Sequence, residues 1–330
     1  MREYEKNEND DMRIGNRFNM LHNQASDAYK ERRNSFKTEA NYQQGVDSFC
    51  NYLAANTGIN KLENGFKPKH ILGFAEDMQE RGLSASTQKT YMSALRDFAD
   101  RNDIDQRNIP NNDRLGLNRR SGRNVDRSWS KEEFQEFQNR ADEYDKQHDN
   151  GGKMRLILDT GMEFGCRLKG ILNMDTKAID EALEKGELNT KEKAGKINTK
   201  PVETLQQREL LERIKAFAEE TGNKKVFVNN DYKTTYKEVQ NFIGNNRDKI
   251  QDQERLNTID ARDKAQETGQ VQASNLNYHG LRYSYARNQF EDALDRGMTQ
   301  EKALEYVSKL LGHNRPEITK TYLAKAGMAI

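Results

Sequence analysis

The chain has 330 residues, 34% of them hydrophobic and 32% charged, with a formal net charge of +1. That length exceeds what a single core usually sustains and points to two domains, while the surviving apolar periodicity excludes wholesale disorder. The near-neutral balance excludes a uniformly basic surface, so any nucleic-acid binding must come from local clusters.

Two cysteines, Cys50 and Cys166, lie far apart and offer neither a disulfide framework nor metal-ligand spacing, as expected of a chain in a reducing cytosol. The charged opening MREYEKNENDD has no apolar core of a signal peptide, and no apolar run approaches the length of a membrane span. A cytoplasmic location is expected, with no membrane partner.

Residues 1–34 are polar and read as an N-terminal arm with at most one short helix, its Arg13, Arg17, Arg32 and Arg33 being either solvated or DNA contacts. From residue 35 the pattern turns helical. Tyr42, Val46, Phe49, Cys50 and Leu53 share one helix face. Ile71, Phe74, Ala75 and Met78 repeat the pattern up to Gly82. Ser84 is placed to cap a third helix whose stripe is Tyr91, Met92, Leu95 and Phe98. These helices form a small all-α unit over 35–105. Lys67, Lys69, Lys89 and Arg96 lie between the stripes, either as a solvated face or as a phosphate-gripping one.

Residues 106–129 form a linker by composition, with Pro110, Gly116, Gly122 and many Asn and Ser. The linker also carries Arg114, Arg119, Arg120, Arg123 and Arg127, the most basic stretch of the chain. Arg forks match phosphate better than a Lys ammonium does, which favours a DNA-tracking strap over a plain soluble linker.

A second domain occupies 130–330. Ser130 followed by two acids caps a helix to about Tyr144, and a second apolar helix opens at Met154. Arg167 stands between Cys166 and Leu168, an apolar setting in which a guanidinium either snorkels to water or awaits an anion. Residues 175–202 read as an irregular strand region with a hairpin turn at Ala194–Gly195, flanked by Lys191, Lys193 and Lys196. Helices are expected over 203–220 and 236–250, a short strand at 224–228, and a polar loop over 256–276. The chain closes with helices over 279–292, 299–311 and 315–324.

That closing stretch concentrates the chemistry. His279 and Arg282 fall on one helix face, His313 follows a Leu-Gly turn, and Tyr322 comes nine residues later. Two His, an Arg and a Tyr within 44 residues are the material of a phosphate-attacking site.

The order Arg167, His279-Gly-Leu-Arg282, Leu311-Gly312-His313, Tyr322 resembles the signature of the tyrosine recombinases, the phage-type integrases. Residues 36–100, including GLSASTQKTYMSALRDF, are similar to the helical core-binding domain that precedes the catalytic domain in that family. The resemblance spans about 36–325. It implies a mainly α fold: a helical, SAM-like core-binding domain plus a mostly α catalytic domain with a small β-hairpin, closing as a clamp on DNA. There are departures. The family's acid three residues after the first Arg is Gly170 here. The hairpin KAGKINTKPV lacks an Arg and has its Pro displaced, and only LAKAGMAI follows Tyr322.

By the same resemblance, Tyr322 is the nucleophile, His279 its general base, His313 a hydrogen-bond donor to phosphate, and Arg167 and Arg282 the neutralising pair. Lys193 is the best match to the general acid, with Lys191 and Lys196 as competitors. The implied reaction is strand cleavage and rejoining through a 3′-phosphotyrosyl bond, without metal or cofactor. The implied partners are double-stranded recombination sites, a homo-tetramer on DNA and accessory DNA-bending proteins, in a bacterial or phage-encoded system. The alternatives are a catalytically impaired architectural DNA-binding protein on the same fold and a supercoil-relaxing enzyme of type IB topoisomerase chemistry.

Overall fold

A computed structural model of the chain describes residues 8–117, 127–192, 195–229, 231–251, 276–313 and 316–324. The chain divides into two compact units, Met1–Ser121 and Gly122–Ile330. The fold is mainly helical, with one two-stranded antiparallel sheet among the described residues.

The first unit contains α1 (Glu8–Ala28), α2 (Phe36–Asn56), α3 (Pro68–Glu80) and α4 (Ala85–Arg101). Ser35 and Ser84 cap α2 and α4 by accepting from the backbone N–H three residues on, and Pro68 opens α3 where a missing N–H costs nothing. The stripes meet in one core built on Val46, Phe49, Leu53, Phe74, Met78, Met92, Leu95 and Phe98. Phe49 packs edge-on to Phe66 at 5.4 Å between ring centres, an arrangement that suits the ring quadrupoles.

Two segments differ from the sequence expectation. The polar arm is a 21-residue helix, because Ile14, Phe18, Leu21 and Ala25 make a sparse stripe that packs into this core. Likewise the start of the expected linker is docked rather than strap-like. Ile109, Leu115 and Leu117 are buried in the first unit, and Arg96 holds the segment through the Pro110 carbonyl (2.9 Å) and Asn112 Oδ1 (3.1 Å).

The second unit begins with α5 (Lys131–His148), α6 (Lys153–Phe164), α7 (Leu168–Leu172) and α8 (Thr176–Lys185). Ser130 and Glu133 form a reciprocal capping box at α5. The hairpin follows as β1 (Glu187–Lys191) and β2 (Ile197–Pro201), with Leu188 opposite Lys200 and Thr190 opposite Asn198. The expectation of irregular strand over 175–202 is therefore corrected at its start. Residues 176–185 are helical because Asp175 caps them and Ile179 and Ala182 fall one turn apart on the buried side. Then come α9 (Leu205–Thr221), α10 (Tyr232–Ile250), α11 (Tyr278–Asp295), α12 (Gln300–Leu310) and α13 (Pro316–Ala324). The strand expected at 224–228 is only an isolated bridge between Lys225 and Val228. Most of the polar loop expected over 256–276 lies outside the described residues.

The main core of this unit joins Trp129, Phe137, Ile157, Phe164, Ile171, Leu211, Ile214, Phe227 and Leu281. Trp129 is locked by its backbone N–H on Ser284 Oγ (2.8 Å) and its indole N–H on the Asn277 carbonyl (3.0 Å), fixing the start of α11. A smaller core of Phe290, Leu304, Val307, Leu311 and Leu323 holds α11, α12 and α13 together, with Tyr322 packed against it. No helix among the described residues is long and apolar enough to cross a membrane.

Candidate active site

Helical spacing on α11 places His279 and Arg282 one turn apart, and α13 carries Tyr322 back toward them. His279 Nε2 lies 3.0 Å from the Tyr322 hydroxyl. With its proton on Nδ1, the imidazole accepts from that hydroxyl. His313 packs edge-on to the Tyr322 ring at 4.6 Å, and the Arg282 guanidinium carbon is 5.8 Å from the ring centre. Tyr283 closes another side at 4.9 Å between ring centres.

Arg282 is wholly buried. Its Nη1 donates to the Gly165 carbonyl and its Nη2 to the Leu311 carbonyl, so the charge is held by two backbone dipoles from different elements. Gly165 has φ +57, and a Cβ there would strike the Tyr285 ring, so only glycine lets the chain turn here. The turn delivers Arg167 at the start of α7 with its side chain one-third exposed. Burial holds the Arg167 guanidinium below its ordinary range, the charge of Arg282 adds to this, and the nearby Tyr322 oxygen opposes it.

Three cations meet three successive carbonyls where α12 ends. Lys200 Nζ donates to Leu310, Arg282 to Leu311, and Lys196 Nζ to Gly312 at 3.0 Å. Positive charge is favoured at a helix C-terminus because the last carbonyls lack intrahelical partners. Gly312 has φ +61, and a Cβ would lie 2.9 Å from the Asn198 side chain, so glycine lets β2 approach this end. The turn is closed by Ser308, whose hydroxyl donates to the His313 carbonyl at 2.6 Å.

His313 is thereby fixed among cations. Burial is the main reason its imidazole is pushed down to about 3, with Arg282, Arg167, Lys200 and His279 adding to it. It stands neutral at ordinary pH and keeps one N–H for donation. Its Nδ1 and the Nε of Arg282 are buried without a hydrogen-bond partner among the described residues. A buried donor in that state is costly, and an anionic oxygen within reach would satisfy it.

Arg167, His279, Arg282, His313 and Tyr322 are therefore brought together within one unit. Lys193 lies outside the described residues. Of its competitors, Lys191 is exposed at the end of β1 and Lys196 is engaged on the Gly312 carbonyl. Two charged residues that the sequence did not single out belong to this neighbourhood. Lys200 is fully buried on β2, its ammonium brought down to about 7 chiefly by burial and then by Arg282. Glu192, 5% exposed, pairs with Arg167. The signal for Lys200 was strand alternation, which puts it on the same buried face as Leu188, Thr190 and Asn198.

Among the residues considered for DNA, Lys67 and Lys69 are exposed at the start of α3, Lys89 is half-buried on α4, and Arg96 is engaged internally. Arg114 is exposed, and Arg127 is half-buried beside Tyr283. Arg119, Arg120 and Arg123 lie outside the described residues.

Residues 27–100 match the family model of the phage integrase N-terminal SAM-like domain. A comparison with curated proteins finds no relative. Among solved structures, the XerH site-specific recombinase in a post-cleavage complex with palindromic difH substrate is 19% identical, with a TM-score of 0.58. The match covers 96% of this chain and 85% of that one. The Tn1549 transposon integrase in complex with transposon right end DNA is 10% identical, with a TM-score of 0.53, covering 93% of this chain and 94% of that one. The chain thus has an N-terminal segment matching the phage integrase SAM-like domain and shares its fold, across nearly the whole length, with this recombinase and this integrase.

Proposed function

We propose that this protein is a site-specific DNA recombinase or integrase of a phage or other mobile element, acting through a 3′-phosphotyrosyl bond at Tyr322. The observation that carries the proposal is the 3.0 Å contact between His279 Nε2 and the Tyr322 hydroxyl, with two guanidiniums and a neutral imidazole gathered around it.

Each group then has a task. His279 takes the hydroxyl proton as the Tyr322 oxygen attacks phosphorus. The five-coordinate transition state gathers negative charge on its equatorial oxygens, which Arg167 and Arg282 stabilise by charge-assisted hydrogen bonds and His313 by its one N–H. The leaving 5′-oxygen needs a proton, a role we assign to Lys193 from its place in the motif. One phosphoester bond replaces another, so a 5′-hydroxyl can reverse the step without an external energy source. Duplex recombination sites are the proposed substrate, with a homo-tetramer assembling on paired sites.

The test starts by footprinting the protein on DNA flanking its own gene, then presents the mapped site as a nicked suicide substrate. Wild type should form a covalent protein–DNA adduct that Tyr322→Phe cannot form. Binding of that site with no adduct from wild type would overturn strand transfer and leave an architectural DNA-binding protein. Sequence-independent relaxation of supercoils would favour the topoisomerase reading instead.

A further inference from the structure

The two site arginines pose an electrostatic problem that the hairpin resolves. The two guanidiniums carry like charge, and they are close enough for Arg282 to act on Arg167. Arg282 is wholly buried and cannot relax into solvent, whereas Arg167 is one-third exposed and can. Like charges at short range in a poorly solvated site repel strongly, so Arg167 left alone would swing outward.

Glu192 stands between them. One carboxylate oxygen pairs with Arg167 Nη1, and the other lies 3.8 Å from Arg282 Nη1. Asn198 Nδ2 donates to that second oxygen at 3.4 Å, and the Glu192 backbone N–H donates to the Lys196 carbonyl at 2.8 Å. Glu192, one residue past β1, is thus tied to Asn198 of β2 and to Lys196 just before it. On its other side lies Gly170, where a Cβ would be 3.7 Å from Glu192 Cγ and 3.4 Å from Thr190 Cβ. That spacing is ordinary van der Waals contact, so a side chain at 170 could reach the same place.

We infer that Glu192 is a positioning residue for strand transfer, its buried carboxylate spacing Arg167 and Arg282 so that both forks face one phosphate. This rests on the strand-transfer reading of the same site. Two guanidiniums and one carboxylate leave a net single positive charge, which matches a phosphodiester and strengthens toward the more anionic transition state. Glu192 touches neither the nucleophile nor the phosphorus in this scheme; it acts through the arginines.

Two measurements on the full chain test the inference. The first needs no DNA: phenylglyoxal modification of individual arginines, followed by peptide mass spectrometry. In Glu192→Gln, which keeps the shape and removes the charge, Arg167 should be modified several-fold faster than in wild type. Exposed Arg107, paired with Asp105, should not change. The second is the rate of the Tyr322 adduct on the mapped suicide substrate. Glu192→Gln and Glu192→Ala should slow it about 10- to 100-fold, the scale of a misplaced catalytic group, without a matching loss of site affinity. Gly170→Glu in the Glu192→Ala background should restore a substantial part of the rate, which a merely structural role for Glu192 would not allow. An unchanged Arg167 reactivity, or an unchanged adduct rate in Glu192→Gln, overturns the inference. If wild type itself forms no adduct on a site that it binds, the strand-transfer reading fails instead, and the positioning role falls with it.

Discussion

At the scale of single residues, the proposed mechanism divides the site into groups that would touch the reaction and groups that set their charge. His279 has the Tyr322 hydroxyl within hydrogen-bond reach, so under the proposed strand transfer His279→Gln should slow adduct formation by roughly 10²–10⁴-fold, the usual contribution of a general base. Quenched-flow or gel-resolved adduct kinetics would read this directly. His313 makes a different prediction, on stability. Its folded-state value of about 3 lies below the ordinary 6.5, so between these values the unfolded chain binds a proton that the folded chain refuses. The corresponding stability is fully present above 6.5 and is lost as pH falls through that window. Wild type should therefore lose more of its urea midpoint between about pH 7 and about pH 5 than His313→Gln does. Equal losses would mean that the imidazole is not held neutral. Helical spacing alone puts His279 and Arg282 on one face, while Arg167, His313 and Tyr322 were legible only through the order of the motif they complete. Lys200 was marked only by its strand alternation with Asn198, and Glu192 by no local pattern, because the burial of both depends on where the hairpin lands.

At the scale of elements, the hairpin and the end of α12 act as a joint. The three-cation, three-carbonyl contact ties β2 and α11 to the turn that carries His313. Gly312→Ala should disturb this joint in two ways: a left-handed conformation forced on an L-residue and a Cβ crowding Asn198. The first alone costs about 1–2 kcal/mol, so a denaturant midpoint should fall by at least that equivalent, together with the adduct rate. Lys200 adds a pH signature. Its folded-state value of about 7 lies below the ordinary 10.5, so stability should rise with pH across that interval, and Lys200→Met should flatten the rise. Urea melts at about pH 7 and about pH 9 would decide it. Helices with dense stripes and polar caps, such as α4 and α5, were readable from sequence. The helix over 8–28 was masked by its polar majority, since only Ile14, Phe18, Leu21, Ala25 and Ala28 pack on the core. Residues 176–185 looked irregular because their cap and stripe are short, yet a ten-residue helix needs only that much when a neighbour covers it.

At the scale of the whole molecule, the near-zero net charge makes the proposed DNA binding a question of where charges are placed. A protein that grips a phosphate backbone releases one set of counterions per contact, and log affinity then falls with log salt by about 0.9 per phosphate neutralised on duplex DNA. The segment joining the two units carries Arg119, Arg120 and Arg123, the densest part of its basic stretch. The segment's two described ends are docked, one through Leu115 and Leu117 in the first unit and the other through Trp129 in the second. If the three arginines between them track the backbone, changing all three to Gln should lower the salt slope by up to about three contacts' worth and weaken binding evenly across sequences. Fluorescence anisotropy on the mapped site and on unrelated duplex, over a salt series, measures both quantities. Arg107→Gln is the matched control, since that side chain is exposed and neutralised by Asp105. A slope unchanged in the triple variant would show that the linker charges face water, and would shift the phosphate contacts to the exposed Lys67 and Lys69 at the start of α3.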